Sequence, residues 1–280
     1  MRLGGTVVGR WSTPGEWEAL LRASRFRAVT APFDCRTPET EARRYMDICL
    51  RNDVAVAEVG VWKNPFDPDP LEARRAVDYA VGQLALADRW DAPCCVNIVG
   101  TSSAAGWDAA DPENFAPGMY ERIVESIRAI IDAAQPRRAF YCIEPMPWMI
   151  PDSPDVYLQL IRDVDRRQFA AHMDFVNMIN CPRRCLGAEA FIGECFEKLA
   201  PMIKSTHIKD IRLHPTRLTT ILEECPPGQG SLDYTAVLRI IDRWLPDDAP
   251  VLLEHMDRAE DYAAAYDFVA ARAAEAGIRI

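Results

Sequence analysis

Short, uninterrupted apolar runs alternate with longer amphipathic stretches from one end of the chain to the other. An unbroken apolar run suits a strand covered on both faces, as in a parallel sheet. Such runs predict strands near residues 3–8, 27–33, 54–62, 94–99, 138–144, 169–174, 202–207 and 250–254. Between them, apolar positions recur at helical spacing. Thr13 caps a first helix with Pro14 in its opening turn and Trp17, Leu20 and Leu21 on one face. Thr37-Pro38-Glu39-Thr40 opens a second, carrying Tyr45, Ile48 and Cys49, and a long third covers 71–88. Ile123, Ile127, Ile130 and Ile131 stripe a fourth, and others are expected over 155–164, 188–200, 232–244 and 258–276. This alternation, without a break in composition, predicts an α/β fold: a single (β/α)8 barrel spanning 1–280 as one domain. A doubly wound open sheet is the alternative. Gly4, Gly5 and Gly9 do not give the spacing of a dinucleotide-binding turn, and no P-loop pattern occurs.

The longest irregular stretches, 62–70, 100–118, 145–154, 175–187 and 209–231, all follow strand ends. In a barrel they therefore share the face that carries function. The chain is 49% hydrophobic and 26% charged, which supplies a core. Its net charge of −10, with no lysine- or arginine-rich stripe, argues against nucleic acid as a partner. Arg183-Arg184 reads as a solvated face or as a contact to an anionic substrate. No apolar run is long enough to span a membrane, and the N-terminal run is too short for a signal segment. A cytoplasmic location is the expectation. The 9 cysteines read as reduced thiols; Cys181 and Cys185 form a close pair but lack a second pair for structural zinc.

Chemistry concentrates at the ends of the last four strands. Glu144, Asp174, His207 and Glu254 each stand at or beside such an end, and in a closed barrel these ends surround one mouth. Three carboxylates and an imidazole are a donor set for one divalent cation such as Mn, Mg, Co or Zn. Taken singly, each residue has another reading: Glu144 and Glu254 as rim ion pairs, Asp174 as a helix cap, His207 as a core histidine. Lys209 either donates to a developing oxyanion or is a surface lysine paired with Asp210. Trp62, Phe66 and Trp148 are candidates for the apolar wall of a sugar site, with packing as the alternative. His255 is expected to point away from Glu254, as neighbours on a strand do.

Glu144-Pro145, His172-x-Asp174-x-x-Asn177, His207-x-Lys209-Asp210, Pro227-Gly228-x-Gly230 and Leu253-Glu254-His255 together resemble the xylose-isomerase-like TIM barrel superfamily. That group contains sugar isomerases and epimerases, inosose dehydratases and endonuclease IV. The resemblance implies that Glu144, Asp174, His207 and Glu254 bind a single divalent metal, manganese among the candidates. It also implies that Glu144 and Glu254 serve as acid and base on a small sugar, with Lys209 beside them. In ketose 3-epimerases of the group a histidine stands where this chain has Asn177, and an arginine lies one position from Arg212; both residues are substrate-binding candidates. The implied activity is sugar isomerisation or epimerisation through an enediolate formed by proton abstraction next to a carbonyl. The alternative is a lyase or dehydratase acting by β-elimination on a keto-sugar, an inosose or a 3-keto-glycoside. Endonuclease IV-like repair would need more histidines than the 4 present, and a cationic face. Non-catalytic sugar binding is a further reading, and pairing into a homo-oligomer is common in the group.

Overall fold

Helix starts follow from local chemistry. Thr13 Oγ1 accepts from the Glu16 amide at 3.3 Å while Glu16 Oε2 accepts from the Ser12 amide at 2.7 Å, a reciprocal cap for α1 (Pro14–Ser24). α2 (Glu39–Arg51) follows Pro38 without a side-chain cap. Asp69 caps α3 (Pro70–Arg89), Gly118 precedes α4 (Met119–Ala134), and Ser153 caps α5 (Pro154–Val164). Two short helices, α6 (Phe175–Met178) and α7 (Pro182–Leu186), lie within a stretch read above as irregular. α8 (Ala188–Leu199), α9 (Tyr234–Trp244, capped by Asp233) and α10 (Ala259–Ala276) complete the set. No helix is long and apolar enough to cross a membrane.

The computed structural model describes residues 1–280. β1 (Arg2–Gly5), β2 (Ala28–Thr30), β3 (Ala55–Gly60), β4 (Cys94–Asn97), β5 (Phe140–Ile143), β6 (Phe169–Asp174) and β7 (Ile203–Ile208) run parallel in chain order. A separate antiparallel hairpin, β8 (Asp210–Leu213) with β9 (Leu222–Cys225), precedes β10 (Pro250–Leu253), which closes the barrel between β7 and β1. The predicted barrel is therefore present. The hairpin escaped the sequence because Asp210-Ile-Arg-Leu and Leu222-Glu-Glu-Cys carry too few apolar residues to stand out.

Most of the core lies between strands and helices, in one large apolar cluster. The barrel interior holds smaller groups: Ala28, Ala57 and Leu252, and Cys94, Val96, Cys142 and Ala170. Small side chains here leave the upper interior to polar groups. Two irregularities adjust the register. Val29 pairs with Val56 but Thr30 pairs with Glu58, so β3 carries one extra residue, Ala57. Ala171 pairs with Ile203 but His172 pairs with Ser205, so β7 carries Lys204 as its extra residue. The first bulge turns both Ala57 and Glu58 inward.

The Tyr157 side chain of α5 is fully buried and stitches β5 to β6 from outside. Its hydroxyl donates to the Ile143 carbonyl and accepts from the amides of Ile143 at 3.2 Å and His172 at 3.3 Å. All nine cysteines are free thiols, as composition suggested.

Close packing of β1 on β2 leaves no room at Gly4, where an added Cβ would stand 1.7 Å from the Ala28 carbonyl oxygen. Gly4→Ala should lower unfolding free energy by about 3 kcal/mol or more in urea denaturation. Gly15→Ala, on α1 with open space around it, should be neutral or stabilise by up to about 1 kcal/mol; equal effects would refute this account of the β1–β2 contact.

Candidate metal centre

Alternation along the strands aims one residue after another into the barrel. On β5 the inward series runs Phe140, Cys142 and on to Glu144; on β6 it runs Ala170, His172, Asp174. On β7 it runs Ser205, His207 and on to Lys209, and on β10 Leu252 leads to Glu254. All the polar members of these series are buried.

One donor atom from each of Glu144, Asp174, His207 and Glu254 lies within 4.8 Å of the others. His207 Nδ1 stands 2.7 Å from Glu254 Oε2 and 3.5 Å from Glu144 Oε2. Glu144 Oε2 is buried without a hydrogen-bond partner, while Asp174 Oδ2 has the Lys209 ammonium at 2.6 Å and His207 Nδ1 faces carboxylate oxygens. Three carboxylates and an imidazole gathered this closely, with one oxygen left unpaired, have the chemistry of donors that would share a cation. The donor set therefore fits a divalent cation. Asp174 is also the helix cap foreseen as its alternative, since Oδ1 accepts from the Asn177 amide at 3.0 Å and opens α6.

Lys209 is buried beside the donors, not a surface partner of Asp210. Its Nζ lies 2.6 Å from Asp174 Oδ2, 2.5 Å from Glu254 Oε1 and 3.4 Å from Glu224 Oε2 on β9. Asp210 has a different task. Its carboxylate accepts from the amides of Gly228, Gly230 and Leu232 and so ties down the Pro-Gly-Gln-Gly loop. A Cβ at Gly230 would stand 2.1 Å from Asp210 Oδ1, which explains that glycine.

Below the donors is a group the sequence reading did not single out. Glu58, fully buried, accepts from Ser205 Oγ and lies 3.1 Å from His207 Nε2 and 3.2 Å from His172 Nδ1. His172 Nε2 in turn lies 3.5 Å from Glu144 Oε2. No motif marked Glu58 in advance: it sits mid-strand in Ala-Val-Ala-Glu-Val-Gly, beside the bulge at Ala57. A charge inside an otherwise apolar strand was the available signal.

These charges set one another's proton affinity. Burial, then the Glu254 carboxylate, push the Glu144 carboxyl well above the usual range. Burial raises Asp174 to about 6 although the Lys209 ammonium pulls it down. For Glu254 burial is outweighed by His207 and Lys209, which hold it well below the ordinary value. Burial opposes a charge on His207, but Glu254, Glu58 and Glu144 raise its affinity for a proton. Burial and His207 lower that of His172. Glu58 stays well below the carboxylate range: burial resists, and the two imidazoles prevail.

The other expected contacts separate. Trp62 lines the cavity of about 740 Å³ that opens above Glu144, His207 and Glu254. Trp148 does not line it; its indole donates to the Asp108 carbonyl at 2.8 Å and holds the 100–118 loop. That loop presents Trp107 to the cavity instead. Phe66 is buried in the core. Arg212 lies on the hairpin, paired with Glu223 at 2.9 Å and half exposed, outside the cavity. Asn177 is buried and donates to Glu144 Oε1 at 3.1 Å, so it orients a carboxylate. His255, at a left-handed φ of 55°, reaches Glu224 at 2.7 Å and also lines the cavity. Arg184 is spent on the Asp152 and Met178 carbonyls.

No curated protein matches the chain. Solved structures share its fold at low identity. A xylose isomerase-like TIM barrel protein from Mycobacterium smegmatis, in complex with magnesium, has TM-score 0.70 and 15% identity, over 98% of this chain and 97% of that one. The 3-keto-D-glucoside 4-epimerase of E. coli gives TM-score 0.72 and 14% identity, over 97% and 99%. A D-psicose 3-epimerase from Clostridium cellulolyticum H10, with D-tagatose, gives 0.68 and 14%, over 97% and 99%. The family model for xylose isomerase-like TIM barrels matches residues 25–275. With that match over most of its length, the chain belongs to the xylose isomerase-like TIM barrel family.

Proposed function

We propose that the protein is a divalent-metal-dependent enzyme that isomerises or epimerises a sugar by moving a proton next to a carbonyl. The observation that carries this reading is the cluster of buried donor atoms on Glu144, Asp174, His207 and Glu254, within 4.8 Å of one another, beside a large cavity that Glu144, His207 and Glu254 line. Those four residues would hold the cation. When bound there, a divalent ion stabilises negative charge on the carbonyl oxygen and adjacent hydroxyl of a sugar. The chain's own groups do the rest. Glu144 and Glu254 reach the centre from β5 and β10, on either side of β6 and β7, so a sugar carbon between them meets a carboxylate from two directions. One removes the proton and the other returns it. Lys209 Nζ, buried between Asp174 and Glu254, holds those two carboxylates in place and puts a fixed positive charge behind the centre.

Glu58 fits a supporting role. Accepting from His207 Nε2–H, it leaves the Nδ1 lone pair facing the carboxylates, the arrangement that prepares an imidazole to bind a cation. Neither lysine nor arginine lines the cavity, which disfavours a phosphate backbone and hence endonuclease IV-like repair. Sugar epimerases among the solved structures of this fold support a carbohydrate substrate. A β-eliminating lyase on a keto-sugar, an inosose or a 3-keto-glycoside is the second reading. It is favoured by Asn177 bonding Glu144 and by Arg212 lying outside the cavity, which removes both ketose contacts that the family resemblance would supply.

Glu254→Gln should reduce kcat on any accepted sugar by more than about 10³-fold with an unchanged circular dichroism spectrum. Near-normal turnover would refute the assignment. Product analysis by NMR on ketoses, inososes and 3-keto-glucosides separates a rearranged sugar from released water or aglycone. Glu58→Gln should weaken manganese binding by about 10–100-fold in calorimetric titration; wild-type affinity would remove Glu58 from the supporting shell.

A further inference from the structure

The rim of the barrel is chemically divided. The four donor residues come from β5, β6, β7 and β10, one arc of the closed sheet. The opposite arc, built on β2, β3 and the loop after β4, presents Phe33, Trp62 and Trp107 to the same cavity. At about 740 Å³ the cavity falls in the range of roughly 300–1,000 Å³ typical for drug-sized ligands, and it far exceeds the needs of a single six-carbon sugar.

The aromatic arc is built, not incidental. Trp62 adopts a left-handed φ of 50°, a conformation that bulky residues rarely hold. Its indole folds back across Gly60, where an added Cβ would stand 2.2 Å from Nε1. Behind it the ring packs on Cys94, Val96, Cys142 and Ala170 inside the barrel. The Gly60 carbonyl is fixed by Gln83 Nε2 at 2.8 Å. Phe33 is buried at the cavity wall against Tyr45 and Trp90. Trp107 rides on the loop that Trp148 anchors, with 42% of its surface exposed. Charge on this side is acidic only, from Asp34 and Asp108. Arg36 and Lys63 lie over the ring of Tyr79, and neither lines the cavity.

We propose that this arc is a subsite for a flat, uncharged substituent on the sugar, so that the substrate is a keto-sugar glycoside with an aryl or similarly flat aglycone, its ring ketone supplying the carbonyl, not a free monosaccharide or a sugar phosphate. The inference rests on the sugar-site reading above and deepens it. The sugar ring lies over the donor residues, while the aglycone lies against Trp62 and Trp107, where apolar area and ring stacking both reward a planar group. An anionic substituent would meet Asp34 and Asp108, the charged side chains that line this side of the cavity.

The test is calorimetric binding of D-glucose and of phenyl α- and β-D-glucopyranoside to the full-length protein, with manganese and after treatment with chelator. At least one phenyl glucoside should bind about tenfold or more tightly than glucose. Trp62→Ala should bring it back to the glucose value, and Trp62→Phe should keep part of the preference, with melting curves confirming that both variants are folded. Equal affinities for all three sugars, or a preference that survives Trp62→Ala, would overturn the subsite. Failure of the catalytic reading looks different: no keto-sugar is turned over and Glu254→Gln changes nothing, while selective phenyl glucoside binding persists.

Discussion

Four carboxylates, two imidazoles and one ammonium share the upper interior of this barrel, nearly all of them cut off from water. Each would be costly to bury alone, and the cost is offset only by the others. Lys209 holds Asp174 and Glu254; Glu58 holds His207 and, from 3.2 Å, faces His172; Asn177 holds Glu144. Removing any one leaves a partner uncompensated in a medium that screens poorly. Small residues deeper in the barrel, Ala28, Ala57, Cys142 and Ala170, leave room for this network. The placement of the loops and the shape of the cavity follow from keeping it intact.

The sequence made the barrel legible because its strands are covered on both faces and read as unbroken apolar runs. It made the four donors legible because each closes such a run. What it concealed depended on register or on polar pairing. Glu58 sits beside one extra residue in β3, and a bulge has no local spelling in Ala-Val-Ala-Glu-Val-Gly. The hairpin of Asp210–Leu213 with Leu222–Cys225 is mostly polar and is stabilised by Arg212 with Glu223 and by Asp210 gripping the glycine loop. Lys209 could be read either as a site donor or as a surface partner of Asp210, and alternation, which sends the two in opposite directions, decides it. Trp148, expected at the cavity wall, anchors the loop from which Trp107 faces the cavity, since an aromatic in a loop can do either and spacing does not distinguish them.

Division of the rim into a donor arc and an aromatic arc connects fold to chemistry. The residues of the donor arc close β5, β6, β7 and β10 of the barrel. The aromatic arc stands on the segments after β2, β3 and β4, and loops at this face of a barrel are where a common scaffold acquires its own substrate.

Tyr157 extends this dependence to the outer layer. Its hydroxyl bridges the backbones of Ile143 and His172, the residues just before Glu144 and two before Asp174. The gap between two of the acidic groups is thus gauged by a phenol rooted in α5, on the far side of the sheet. Divergence in the peripheral coat, well away from any bound molecule, can therefore retune the centre by widening or narrowing that gap, with every chemically active side chain left as it was.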